Sequence, residues 1–353
     1  MKDKIKQWQM TELKNDFKLV EAELPVINEN EALIKVAGCG VCHTDLSFWY
    51  DGVRTKKELP LTLGHEISGQ VVMGPQSLKG KNVIIPAVLP CGECELCKKG
   101  RSNICQNQLM PGNDFHGGFA SHIVVPHKYL CPVPDAVLKK YKLEELSVIA
   151  DAISTPYQVI KKSELEKEEL AICIGVGGVG VYGALIAKIM GAKVIAIDIN
   201  DEKLAQAKRN GVDATLNSKG LDIKEIKTKV KEIAKELGAP KYGWKIFEFS
   251  GTAQGQDLAF NLITFTSTLS IVGFTMNKLE VRLSNLMAFD AKLIGTWGCK
   301  PELYPEVVDL IATGKLEIRD FVQAFPMSSI NEVFQNTLAH KYSKRSVLVP
   351  DFN

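Results

Sequence analysis

The 353-residue sequence lacks any apolar run of the roughly 18 residues that a membrane-spanning helix needs. It has almost no surplus charge: a net value of +2 leaves no footprint for nucleic acid or an anionic membrane surface. The opening residues Met1-Lys2-Asp3-Lys4-Ile5-Lys6 lack the apolar stretch of a secretory signal, so the expected location is the cytoplasm. Internal repeats and low-complexity segments are missing too. What remains is the composition of a soluble globular protein, 45% hydrophobic and 24% charged. The chain is too long for one ordinary core and predicts two domains. In a reducing compartment its nine cysteines point to metal or catalytic roles rather than disulfides.

Residues 17 to 36 alternate apolar and polar side chains, and strand-like runs recur at 67–72, 83–86 and 122–125, punctuated by Gly and Pro. This predicts a β-rich first domain. Within it, Cys39-Gly40-Val41-Cys42-His43-Thr44-Asp45 and Gly64-His65-Glu66 offer a thiol, an imidazole and carboxylates, the ligand types of Zn²⁺. Thr44 is a hydroxyl suited to handling a proton at the metal. Asp45 is placed to hydrogen-bond the nitrogen of His65 that does not ligate.

Cys91, Cys94, Cys97 and Cys105 follow in the spacing C-x2-C-x2-C-x7-C. Four thiolates can close a tetrahedron around one structural Zn²⁺ with no open position. An iron–sulfur cluster competes for the same spacing, and a disulfide pair is the remaining alternative. The turn 110–120 carries Phe115 and His116, either lining a pocket or packing at the surface.

Helical periodicity spans 143–160 and contains an acid, Asp151, among apolar neighbours. A buried carboxylate needs a partner, either a helix end or a metal. Next, a strand 170–174 runs into Gly175-Val176-Gly177-Gly178-Val179-Gly180 and a helix, and the following strand ends at Asp198. G-x-G-x-x-G in this context binds a dinucleotide pyrophosphate. A carboxylate at Asp198 would bond the adenosine ribose and repel a 2′-phosphate, favouring NAD over NADP. Further strand-like runs separated by helices predict a doubly wound parallel sheet over 149–296. The flanking parts, 1–148 and 297–353, form the other domain.

With these motifs in place, the chain resembles the zinc-dependent medium-chain alcohol dehydrogenases over nearly its full length. The resemblance implies an α/β protein: a GroES-like catalytic domain, a Rossmann coenzyme domain and an active site in the cleft between them. It implies two zincs per chain. Cys42 and His65 would ligate the catalytic one, with Glu66 nearby to exchange with bound water and Thr44 relaying the alcohol proton. His43 would touch coenzyme phosphates, Thr155 would lie at the coenzyme, Lys203 at the adenosine ribose and Arg345 at the pyrophosphate. Two positions depart from the pattern. Asp151 stands where the third ligand is usually a thiolate, which leaves the ligand charge unchanged. Ser47 stands where a relay histidine is usual, and a serine is no final base at neutral pH.

A closer likeness, through residues 60–69, 110–114 and the stretch around Asp151, is to the 6-hydroxycyclohex-1-ene-1-carbonyl-CoA dehydrogenases of anaerobic aromatic degradation. It implies a cyclic secondary allylic alcohol carried as a CoA thioester and oxidised to a ketone. Arg54, Lys56 and Lys57 form either a contact for CoA phosphates or a solvated charge run. Simple alcohols are the alternative substrates, and a non-catalytic nucleotide-binding protein is the alternative of another class. Family habit implies a homotetramer or homodimer.

Overall fold

A computed structural model describes residues 4–352. The signal-free start read at Met1–Asp3 lies outside the described residues. The chain divides into two compact units. Unit 1 is Met1–Ser154 with Gly298–Asn353, and unit 2 is Thr155–Trp297.

Unit 1 begins with β1 (Lys4–Gln9) and β2 (Lys18–Glu23), an antiparallel pair. Its larger sheet contains β3 (Glu31–Gly40), β4 (Glu66–Met73), β5 (Asn82–Ile85), β6 (His122–Pro126) and β7 (Cys131–Pro132), all antiparallel to their neighbours. β3 is apolar and largely buried because β4 and β6 both pair with it.

Unit 2 is a six-stranded parallel sheet. Its strands are β8 (Leu170–Ile174), β9 (Lys193–Asp198), β10 (Ala214–Asn217), β11 (Lys245–Glu248), β12 (Thr268–Ile271) and β13 (Lys292–Gly295), in the order β10-β9-β8-β11-β12-β13. The order reverses between β8 and β11, the place where open α/β sheets bind ligands at their carboxyl ends. β8 is buried along its whole length, as its unbroken apolar run requires.

The tail returns to unit 1. There β14 (Val322–Pro326) lies parallel to β15 (Arg345–Val349), and β15 pairs antiparallel with β3. Phe334 of the tail sits fully buried in an aromatic cluster, with ring centroids 4.6 Å from Phe17, 5.7 Å from Trp49 and 5.6 Å from Phe119.

The helix expected over 143–160 is broken. A 3-10 helix, Glu144–Ala150, stops at Asp151, whose φ of −141° leaves the helical region, and an α-helix, Ser154–Lys162, starts afterwards. Asp151 therefore belongs to unit 1, although periodicity had placed it at the head of the coenzyme domain. The 3-10 helix packs on β3 because Gly38 has no side chain. A Cβ there would meet the Glu144 Cα at 2.8 Å.

Candidate functional site

β3 delivers Cys42 at its exit, and β4 begins at Glu66 directly after His65. Asp45 ties the two ends together. Its carboxylate accepts from the Cys42 N–H at 3.0 Å and from the Gly64 N–H at 3.1 Å. His65 Nδ1 faces the same carboxylate at 3.4 Å. Asp151 arrives from the other side, fixed at both ends of its segment. Ser68 Oγ donates to the Leu143 carbonyl at 2.7 Å, and the Ala150 carbonyl accepts from Ser154 Oγ at 3.1 Å and from the Tyr304 hydroxyl.

The result is a cluster. Cys42, His65, Glu66 and Asp151 each offer a ligand atom, all within 4.8 Å of one another. Asp151 Oδ2 is 3.7 Å from Cys42 Sγ and 3.7 Å from His65 Nε2. A tetrahedral Zn²⁺ with thiolate, imidazole and carboxylate ligands has ligand–ligand edges of about 3.3–3.6 Å. These residues fit that ion. The field agrees. Burial alone would push His65 down, but Asp45 and Asp151 outweigh it and hold its pKa well above the usual value. Carboxylates and a thiol concentrated in an apolar surround favour a cation.

Glu66 is engaged by Arg345. The guanidinium Nε donates to Oε2 at 3.0 Å, a second nitrogen donates to Oε1, and both residues are buried. Burial pushes the Glu66 carboxyl up, and Arg345 pulls it back. Arg345 thus sits behind the metal cluster. Sequence reasoning assigned it to the coenzyme pyrophosphate and did not connect it with Glu66. Thr44 Oγ1 lies 3.7 Å from Cys42 Sγ. His43 is exposed and stacked on His340, with ring centroids 6.1 Å apart. Ser47 opens the next helical turn, Ser47–Asp51, half-buried and outside the ligand cluster.

The four cysteines of the lobe also converge. Sulfur separations are 3.4 Å (Cys91–Cys105), 3.5 Å (Cys94–Cys97), 3.7 Å (Cys94–Cys105) and 4.0 Å (Cys91–Cys97). A tetrahedral ZnS₄ centre has edges of about 3.8 Å. Backbone N–H groups already point at the sulfurs: Cys94 N–H at Cys91 Sγ and Asn107 N–H at Cys105 Sγ. The backbone N–H of Cys97 holds the Cys94 thiol down at about 6.

In unit 2 the turn after β8 has the shape that its glycines predict. Gly175 has φ +81°, and a Cβ there would meet the Ser250 Cα at 2.6 Å. A Cβ at Gly180 would run into the Gly175 carbonyl, so the helix Gly180–Ile189 packs close to the strand. Gly177, Gly178 and Val179 are half-buried, and the nearest atom to a Cβ at Gly177 would be Lys203 Nζ at 3.8 Å. Val179 precedes the helix without a side-chain cap, so backbone donors face the turn. Asp198 ends β9 beside the turn, its Oδ2 accepting from the Val176 N–H at 2.8 Å. Thr155 is buried in the helix Ser154–Lys162.

Both parts of the chain are similar to known protein families. Residues 28–135 match the alcohol dehydrogenase GroES-like domain and residues 178–313 match the zinc-binding dehydrogenase family. An alcohol dehydrogenase of Geobacillus stearothermophilus is 31% identical over 344 residues, 96% of this chain and 97% of that one. A D-arabitol-phosphate dehydrogenase of Enterococcus avium is 27% identical over 333 residues, 90% of each chain. The solved alcohol dehydrogenase of Aeropyrum pernix superposes with a TM-score of 0.84 at 27% identity, covering 98% of this chain and 100% of that one. Unit 1 is accordingly GroES-like and unit 2 Rossmann-like. The chain belongs to the zinc-dependent medium-chain alcohol dehydrogenase family and is an oxidoreductase acting on alcohols.

Proposed function

We propose that this enzyme oxidises a secondary alcohol to a ketone with NAD, at a zinc ion held by Cys42, His65 and Asp151. The observation that carries the reading is the convergence of thiol, imidazole and carboxylate atoms within 4.8 Å. Zinc bound there supplies Lewis acidity toward the alcohol hydroxyl, and the nicotinamide supplies the hydride acceptor. Thr44 takes the alcohol proton, its hydroxyl being 3.7 Å from Cys42 Sγ. Ser47, on the following turn, passes it outward without being a final base. Cys91, Cys94, Cys97 and Cys105 would hold a second, structural zinc.

The glycine turn and Lys203 bind the dinucleotide, with His43 at a phosphate. The choice of NAD over NADP rests on the Asp198 carboxylate, which sits against the turn and repels a 2′-phosphate. Arg345 supports the site through Glu66.

For the substrate, the likenesses at 60–69, 110–114 and Asp151 support a cyclic allylic alcohol carried on CoA, 6-hydroxycyclohex-1-ene-1-carbonyl-CoA. Of the basic loop, Lys56 is paired with Asp114 at 2.8 Å, which leaves Arg54 and Lys57 for the phosphates. The Geobacillus relative favours a second reading, simple alcohols. The polyol-phosphate relative adds a phosphorylated polyol to the panel. Self-association into a dimer or tetramer is supported by the outer edge of β13, where Leu293 and nearby Met287 are exposed.

The test is steady-state kinetics with CoA-bound, free and phosphorylated alcohols, each with NAD and NADP. The CoA thioester is expected to exceed the matching free alcohol by about a hundredfold in kcat/KM. Equal or lower kcat/KM for the thioester transfers the assignment to simple alcohols. No turnover with any alcohol of this panel, despite full zinc loading and NADH binding, removes all three substrate classes from the assignment.

A further inference from the structure

β11 ends on Glu248, a carboxyl that the hydride transfer does not use. It is fully buried. Its Oε1 accepts from the Ser250 N–H at 2.7 Å, the Ser250 hydroxyl at 2.5 Å and the Gly251 N–H at 3.1 Å. Its Oε2 has no hydrogen-bond partner among the described residues. The side chain curls over its own strand end and gathers the donors of the next turn onto one oxygen. Two glycines make room for it: a Cβ at Gly255 would meet Oε1 at 3.0 Å, and one at Gly273 would meet Oε2 at 2.8 Å.

A buried carboxyl with one oxygen unmatched is an expensive way to cap a turn. The turn it caps has a particular neighbour. Ser250 is the residue that a Cβ on Gly175 would strike, at 2.6 Å from its Cα. A Cβ on Gly180 would likewise meet the Phe249 Cβ at 2.9 Å. The Phe249 N–H donates to the Ile174 carbonyl at 2.8 Å, immediately before Gly175. The segment 249–251 is therefore the wall on which the glycine turn rests, and Glu248 sets the shape of that wall.

We propose that Glu248 is a positioning residue for the coenzyme. It holds Ser250 and Gly251 so that the turn 175–180 keeps its backbone donors aimed at the dinucleotide phosphates. This rests on the coenzyme assignment above. It adds a residue that touches neither coenzyme nor metal.

The test uses the full-length, zinc-loaded enzyme with NADH as probe. Glu248→Ala removes the acceptor and strands three donors. It is expected to raise the NADH Kd and the coenzyme KM by about tenfold or more, with kcat at saturating coenzyme and zinc content unchanged. Glu248→Gln keeps an acceptor oxygen and is expected to bind NADH within about threefold of the parent. A merely structural carboxyl would lower Tm without this split between KM and kcat. Parental NADH binding by Glu248→Ala, a Gln variant as weak as Ala, or KM and kcat failing together each overturns the inference. If Glu248→Ala does not fold, Ser250→Ala decides. NADH binding weakened by about threefold or more sustains the proposal, and parental binding ends it. A parent protein that binds neither NADH nor NADPH overturns the dehydrogenase reading itself instead.

Discussion

Asp151 stands where the family resemblance implies a sulfur ligand, and its surroundings show how a carboxylate, whose oxygen lies one bond farther from the backbone than a cysteine sulfur, is placed at the cluster. The backbone before it is held by Ser68 and the backbone around it by Ser154 and Tyr304, so the carboxylate needs no freedom of its own. Replacing it leaves two ligands, too few to hold the ion against water. Asp151→Ala is expected to lose the zinc of this cluster, retain that of the four-cysteine lobe, and lose turnover by about a thousandfold. Metal analysis and steady-state kinetics check this. Asp151→Cys should regain both. Cys42 and His65 were legible from the sequence because each lies within a short span rich in ligand types. The Glu66–Arg345 pair was not. Its members are 279 positions apart, and no local period links an acid at the head of one strand to a base at the head of another. Breaking such a buried pair costs about 3–5 kcal/mol, so exchanging Arg345 is expected to cost stability in addition to any coenzyme contact it makes.

At the scale of elements, the glycine turn was the most legible part, because strand, turn, helix and terminal acid follow one another in the chain. The segment around residue 150 was the least legible. Its apolar spacing reads as one helix over 143–160 running into the coenzyme domain, whereas the missing side chain at Gly38 lets its first half lie on β3. Periodicity reports that a face is buried, not which body buries it. The cysteine lobe was legible as a cluster of four converging thiols, since they fall within residues 91–105. It has little regular structure beyond the short helix Glu95–Lys98, and its sulfurs stand in for an apolar core. Cys97→Ser is therefore expected to release the lobe zinc and bring the amides of 91–105 to rapid hydrogen exchange, while the Cys42–His65–Asp151 zinc stays bound. Metal analysis with exchange mass spectrometry reads both. Loss of both zincs together would mean that the two centres fold as one.

At the scale of the whole molecule, the order of the chain and the order of the units differ. Unit 2 is one continuous stretch, and unit 1 is assembled from both sides of it. The aromatic cluster joins these two parts of unit 1, with Phe334 from the tail set among Phe17, Trp49 and Phe119. Phe334→Ala should leave a cavity and destabilise unit 1 by about 3–5 kcal/mol. Calorimetry in the presence of added zinc and NADH is expected to show unit 1 melting earlier than unit 2. A single transition shifted as a block would argue that the units unfold together. That residues 297–353 return to the first domain was legible in the sequence; that β15 joins β3 was not, because strand partners this far apart in the chain leave no local period.

That last pairing bears on biosynthesis. Val347 and Leu348 align with Gly40 and Cys39, and Arg345 reaches Glu66 from the same strand. A nascent polypeptide still short of Arg345 holds all of unit 2 but leaves Glu66 without its counter-ion. The metal-ligand unit is thus the last to be completed in translation, and chains stopped before Arg345 are expected to carry an unneutralised acid in its interior.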